Sequence, residues 1–274
     1  MPFISVDSYR HERHANSSFL SSLARQENTR LPGPGSVIAS SFTSPIDAVY
    51  LAAIFDPVFT AAYPNSRQVE HISLLQAILR SFAPPSEHPP PGTRTVDLAT
   101  LQRQYPGRPI AVFPECTTTN GRGILPLSPA LAGAPAQTKI FPVSLRYTPA
   151  DVVTPVPESY IDFLWALLSK PTHCIRVRIA EAVMSGAKAP ASSAGASTAT
   201  RRSTYDDNYL DTLDQDSAYG SSSGGDAAEV SASEKAMLNQ VGDALARLGR
   251  VKRMGLGVKE KEDFVRMWNR RRIR

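Results

Sequence analysis

Ile110-Ala111-Val112-Phe113 is an unbroken apolar run closed by Pro114, and it constrains the fold more than any other stretch of the chain. Such a run reads as a short interior strand, and Pro114, which has no backbone N–H, can sit only where the hydrogen-bond ladder ends. Glu115 therefore projects from a strand end. In open α/β sheets that rim is where ligands bind. Thr117, Thr118 and Thr119 follow with hydroxyls that donate and accept hydrogen bonds, and Asn120-Gly121 supplies the positive backbone angles of a sharp reversal. Glu115 either positions a polar, phosphorylated substrate there or pairs with a neighbour in a solvated loop.

Strands and helices alternate around this run. Ser36 to Ser40 reads as a first core strand, followed by a helix that opens at Ser44-Pro45-Ile46-Asp47 and stops at Pro57. Val69 to Ser73 is a strand, Leu74 to Leu79 a short helix and Leu98 to Tyr105 a surface helix. Lys139 to Tyr147 reads as a strand interrupted by Pro142, and Tyr160 to Leu168 has the aromatic-rich period of a buried helix face. Ile175-Arg176-Val177-Arg178-Ile179 alternates apolar and basic residues, as an edge strand with one solvated face does. The alternation from 36 to 180 predicts one α/β domain with a mostly parallel central sheet flanked by helices.

The 23 prolines cluster at 84–85, 89–91 and 126–135, so long extended connections are expected. Two cysteines, Cys116 and Cys174, give no disulfide framework. Arg10, Glu12, Arg13, Arg25, Glu27 and Arg30 interrupt any apolar leader, which argues against a cleaved secretory signal. No stretch reaches the ~18 uninterrupted apolar residues of a membrane-spanning helix. The net charge of +5 is uneven: residues 247–274 hold eleven Lys and Arg against three acids, a local +8, and the remainder sums to −3.

Four regions follow: a polar segment at 1–35, the α/β domain at 36–184, a Ser/Ala/Gly-rich insert at 185–233 and basic helices at 234–274. The insert has almost no apolar spacing and is expected to be disordered. Beyond it Met237, Leu238, Val241, Leu245 and Leu248 recur at helical spacing. The last helix, Val258 to Ile273, sets Phe264, Met267 and Trp268 among Arg266, Arg270, Arg271, Arg272 and Arg274. That composition suits an anionic membrane face, or else a solvated charged tail. No nucleic-acid module accompanies the basic run, so a nucleic-acid partner is not expected.

Three blocks in order resemble the glycerolipid acyltransferases of the lysophosphatidate type. Ile110 to Glu115 with its Thr-rich turn is similar to their F-P-E-G-T-R-S block, Ser41 to Asp47 to their N-H-x-S-x-x-D block, and Ile140-Phe141-Pro142-Val143 to a later V-P-V strand. The spacing, and the tail Leu248 to Arg253 with Phe264 to Trp268, resemble a fungal branch that uses lysophosphatidate and oleoyl-CoA. In that family a His takes the proton from the acceptor hydroxyl as it attacks the thioester, and an Asp five residues later holds the imidazole. Here the Asp matches as Asp47, but the His position is Phe42, which has no titratable group. Glu115 matches the family's Glu, the next Gly is Cys116, and the Arg expected at the lipid phosphate is Thr118.

The resemblance implies catalytic roles for Asp47 and Glu115 and substrate binding by Thr117, Thr118, Thr119, Asn120, Gly121 and Arg122, with Arg122 supplying the missing charge or else standing as a solvated turn residue. Asp47 has a second role open to it, because Ser44 at N-cap, Pro45 at N1 and Asp47 at N3 form a capping-box-like helix start. Cys116 reads as a small buried substitute for Gly, and His71, at a predicted strand end, either reaches the site as a substitute base or, as a lone His there more often does, serves a structural role. Acyl-CoA and a lysoglycerolipid are the implied partners, with no cofactor beyond the acyl-CoA co-substrate and no metal. An apolar groove near Val49 to Phe59 is the expected acyl-chain path. The implied location is the cytosolic face of endoplasmic reticulum or lipid droplets, by peripheral attachment; a non-catalytic lipid- or acyl-CoA-binding homologue in membrane trafficking is the alternative.

Overall fold

A computed structural model of the protein describes residues 30–186 and 231–272. Most of the polar segment at 1–35, and the insert read at 185–233 from residue 187 to 230, lie outside the described residues.

The main sheet is mixed. Its strands are β1 (Val37–Ser40), β2 (Val58–Ala61), β3 (Val69–Ile72), β4 (Thr95–Val96), β5 (Ile110–Val112), β7 (Lys139–Thr148), β8 (Cys174–Ile179) and β9 (Val183–Met184), in the order β4-β3-β2-β5-β1-β7-β8 with β9 also on β7. The central strands β2, β5, β1 and β7 run parallel, and the flanking pairs are antiparallel. Covered on both faces, the central strands carry continuous apolar sequence. Ile110 and Val112 point into one core cluster with Val37, Ala39 and Leu98; Ala111 and Phe113 point into the other with Ile38, Phe42 and Leu51.

Helices α1 (Pro45–Phe55) and α2 (Leu74–Arg80) cover the second cluster, and α3 (Leu98–Gln104) with α5 (Ala232–Gly249) cover the first. Ser44 caps α1 in a capping box completed by Asp47, and Asp56 ends it at φ 42° just before Pro57. Leu98 and Leu101 of α3 are buried, so this helix is less a surface element than its sequence suggests. Ser231 caps α5, which buries Met237, Val241 and Leu245, each worth about 1.5–3 kcal/mol of transfer free energy. Its C-terminal carbonyls are met by the sheet: Arg146 donates to Gly249 O at 2.7 Å and Arg178 to Leu248 O at 2.9 Å. Arg178 on β8 is thus spent on a helix end rather than on solvent.

Pro142 does not interrupt β7, which runs unbroken from Lys139 to Thr148. β9 pairs with Lys139 and Ile140 and β8 with Val143 to Thr148, so Pro142 falls in the gap between two antiparallel partners. Its missing N–H costs no ladder bond there. Of the span near Val49 to Phe59, Val58 and Phe59 lie in β2 in the core, while Val49 and Ile54 of α1 are exposed. The space beside Phe42 and Phe113 is about 10 Å³, room for at most one water.

Helix α4 (Tyr160–Leu168) departs from expectation most. None of its residues is buried, although all but Asp162 are apolar. A cavity of about 620 Å³ lies beneath it, between the 151–159 segment and Trp268 of α6 (Val258–Arg272). No helix among the described residues is long and apolar enough to cross a membrane.

A second, two-stranded sheet joins β6 (Gly123–Ile124) in parallel to β10 (Lys252–Arg253), and Met254 N donates to Ile124 O at 2.8 Å. Gly123 leaves room for Met254: an added Cβ would stand 2.5 Å from Met254 Cγ, so a larger residue there must displace that half-exposed side chain. This clamp fixes the start of α6.

Candidate functional site

The loops leaving the C-terminal ends of β1 and β5 meet at one rim. Neighbouring backbone amides of the first loop serve the two carboxylates: Phe42 N–H donates to Glu115 Oε1 at 3.3 Å, and Thr43 N–H to Asp47 Oδ2 at 2.6 Å. Thr119 N–H returns to Phe42 O at 2.9 Å, tying the Thr-rich turn to the first block. Both carboxylates are buried.

Asp47 Oδ2 also accepts from Ser44 N–H at 2.9 Å and Thr43 Oγ1 at 3.2 Å, while Oδ1 accepts from the Tyr147 phenol. The capping role read from the sequence is therefore filled by Oδ2, and Oδ1 is held by a tyrosine, so both oxygens of Asp47 have partners. Burial raises Asp47 to about 6 against the lowering effect of those hydrogen bonds. Tyr147 is itself raised, by burial and by the carboxylate beside it.

Glu115 Oε2 accepts from Leu125 N–H at 3.1 Å, so this side chain staples the first loop to the far side of its own turn. Burial lifts it to about 7. Cys116 sits at φ 60°, a conformation natural to glycine. Its thiol is half-buried and pushed up to about 12 by burial, which keeps it a thiol and not a nucleophile. The other positive angle of the turn lies at Gly121, φ 67°.

Thr117 and Thr118 are buried, and Thr118 Oγ1 donates to Thr154 O at 2.7 Å. Thr119 accepts from Gly121 N–H and Asn120 Oδ1 from Arg122 N–H, which shapes the reversal. Arg122 is exposed, in the outer part of the turn. The cation at the site is a different residue. Lys261 of α6 places Nζ 2.8 Å from Thr117 Oγ1 and 3.3 Å from Thr118 Oγ1, and bonds Thr118 O. Burial lowers it to about 8, with Glu115 holding it up.

The sequence carried a signal for Lys261 that its membership of a basic run concealed. Val258 and Val265 are the buried residues of α6, and position 261 shares their face at i+3 and i−4. Tyr147 had no such signal. His71 is exposed on β3, its ring tilted against Tyr105 at 5.5 Å. Phe42, where the resemblance places a base, is buried and stacked on Phe113 at 4.4 Å between ring centroids.

The chain is 27% identical over 145 residues to a Schizosaccharomyces pombe protein described as "Putative lysophosphatidic acid:oleoyl-CoA acyltransferase", a match covering 53% of this chain and 48% of that one. The chain thus spans about half the length of this relative. No family model matches the chain. No solved structure matches it either.

Proposed function

We propose that this chain transfers a fatty acyl group from acyl-CoA to the free hydroxyl of lysophosphatidate or a related lysoglycerolipid. The observation that carries this is the convergence at one rim of Asp47, Glu115 and the Thr117–Thr118 hydroxyls with a half-buried ammonium, Lys261. The similarity to the fission-yeast protein supports it. Lys261 takes the place of the absent arginine as the cation for the acceptor's phosphate, a charge-assisted contact that Thr118 alone does not provide. Glu115 and Asp47 hold the two loops in register around that acceptor.

In the transfer the acceptor oxygen attacks the thioester carbonyl, the C–S bond breaks, and the hydroxyl proton ends on the departing CoA thiolate. Phe42 takes no proton, so holding the two substrates together supplies most of the acceleration. The work takes place at the cytosolic face of endoplasmic reticulum or lipid droplets, with the basic helix α6 against an anionic surface.

The buried Phe42–Phe113 stack favours a second reading, a lipid- or acyl-CoA-binding homologue without turnover. One assay separates the two: purified protein with labelled oleoyl-CoA and lysophosphatidate, wild type against Asp47→Ala and Glu115→Ala. Turnover lost in both variants supports acyl transfer. Wild-type turnover no higher than theirs sinks it, and retained lysolipid binding then supports the second reading.

A further inference from the structure

Two aromatic rings and two carboxylates line the cavity of about 620 Å³ beneath α4, together with Ser159 and apolar residues of the 153–157 segment. The rings are Phe163 of α4 and Trp268 of α6, and the carboxylates are Asp151 and Asp162. No Lys or Arg among the described residues lines it. Its volume is within the usual range of small-molecule pockets, roughly 300–1,000 Å³, so it has room for more than one functional group.

The carboxylates differ. Asp151 forms an ion pair with Lys170, whereas Asp162, in the first turn of α4, forms none among the described residues. An unpaired carboxylate at the edge of low-dielectric walls focuses a negative potential into the cleft. Aromatic faces carry the negative end of a quadrupole and add to the attraction for a cation. An anion is repelled there, and a neutral apolar group gains nothing from Asp162. The cavity also adjoins the candidate site: Thr154, between the lining residues Val153 and Pro155, accepts the Thr118 hydroxyl. Lys261, which bonds the same Thr118, shares one face of α6 with Trp268, about 10 Å away along the axis. A ligand with a phosphate and an ammonium has the charges that these two positions favour.

We infer that this cavity binds an organic ammonium cation, either free or as the headgroup of a zwitterionic lysolipid. Asp162 meets the charge, and Trp268 and Phe163 meet the methyl or methylene groups around it. The cation site stands without the acyl-transfer reading. The lipid source rests on that reading, since it sets the lipid's phosphate against Lys261.

The chain has two tryptophans, so Trp165→Phe leaves Trp268 as its one indole, a reporter in the cavity wall. The full chain with that substitution is titrated with choline, with the uncharged isostere in which a tert-butyl group replaces the trimethylammonium, and with glycerophosphocholine, following Trp268 emission. Choline is expected to saturate the signal and to bind roughly tenfold tighter than the isostere. Asp162 is exposed, so adding Asp162→Asn keeps the melting curve; it is expected to weaken choline about three- to fivefold and to leave the isostere unchanged. An isostere that binds as tightly as choline, choline binding indifferent to Asp162→Asn, or no saturable change with choline or glycerophosphocholine overturns the cation site. Glycerophosphocholine bound tighter than choline, with the excess lost in Lys261→Met, assigns the cation to a lipid headgroup. Equal affinities, or an excess that survives Lys261→Met, overturn that source and leave a free cation. Cation binding without acyl transfer to any lysolipid leaves this inference standing and overturns the acyltransferase, and transfer without cation binding does the reverse.

Discussion

Lys261 Nζ stands 2.8 Å from Thr117 Oγ1, although the two residues are 144 positions apart. Its ammonium is half-buried and, among the described residues, forms no ion pair; hydrogen bonds to Thr117 and Thr118 hold it, so its charge is costly to the fold and suited to meet an anion. Lys261→Met is therefore expected to weaken use of a phosphate-bearing acceptor by about 10–100-fold, the worth of a charge-assisted hydrogen bond, and to leave a phosphate-free monoacylglycerol nearly unaffected. Acceptor titrations with both lipids check this.

The same lysine carries a stability signature. Its folded pKa of about 8 is below the unfolded value of 10.5, so between those values the unfolded chain holds the extra proton. Unfolding free energy from this group rises with pH across that window. Urea midpoints of wild type and Lys261→Met, compared from pH 8 to 10.5, are expected to converge as the pH rises.

The buried carboxylates act in the opposite sense at lower pH. Asp47 rises from 3.8 to about 6 and Glu115 from 4.5 to about 7, so across that span the folded protein keeps protons the unfolded chain has released. Their contribution is fully present below the unfolded pKa values and is lost as pH climbs through the folded ones, on the order of 3 kcal/mol each. Substituting Glu115→Gln should flatten the fall in urea midpoint between pH 5 and 7 relative to wild type.

Glu115→Ala should cost about 2–4 kcal/mol, because it leaves the Phe42 and Leu125 amides without their acceptor and opens a cavity. Thermal or urea unfolding measures it. Leu168→Asp, in contrast, should change stability by under about 0.5 kcal/mol, since that side chain is 78% exposed.

Phe42→His restores an imidazole at the position where the resemblance places the base, at a loss of about 1 kcal/mol of ring stacking against Phe113. Both oxygens of Asp47 have partners, and Tyr147 holds Oδ1. The double variant Phe42→His/Tyr147→Phe should therefore transfer acyl groups about 100-fold faster than wild type and faster than Phe42→His alone. Single-turnover rates with labelled acyl-CoA test the order.

Local sequence revealed most of the fold, because its strands and caps follow short-range rules: the apolar run at 110–113, the Ser44 capping box and the α5 stripe all stand where those rules place them. It misjudged elements whose setting is decided at a distance. The apolar period of Tyr160–Leu168 is the same whether a core covers the helix or leaves it exposed, and β2 begins only at Val58, at the end of the span where a groove was expected. At the candidate site the two loops were legible as blocks. Lys261 and Tyr147 were not, since each reaches the site only through the tertiary fold, one by way of the β6–β10 clamp and the other from the end of β7.

That clamp also sets an order of assembly. During synthesis the parallel strands and both candidate loops leave the ribosome well over a hundred residues before Lys261, with the whole 187–230 stretch in between. Closing a contact of that span is slow compared with forming the sheet. The nascent chain therefore spends an interval with the Thr117–Thr118 hydroxyls uncovered, and a nascent chain stalled short of residue 261 presents both loops without the Lys261 ammonium.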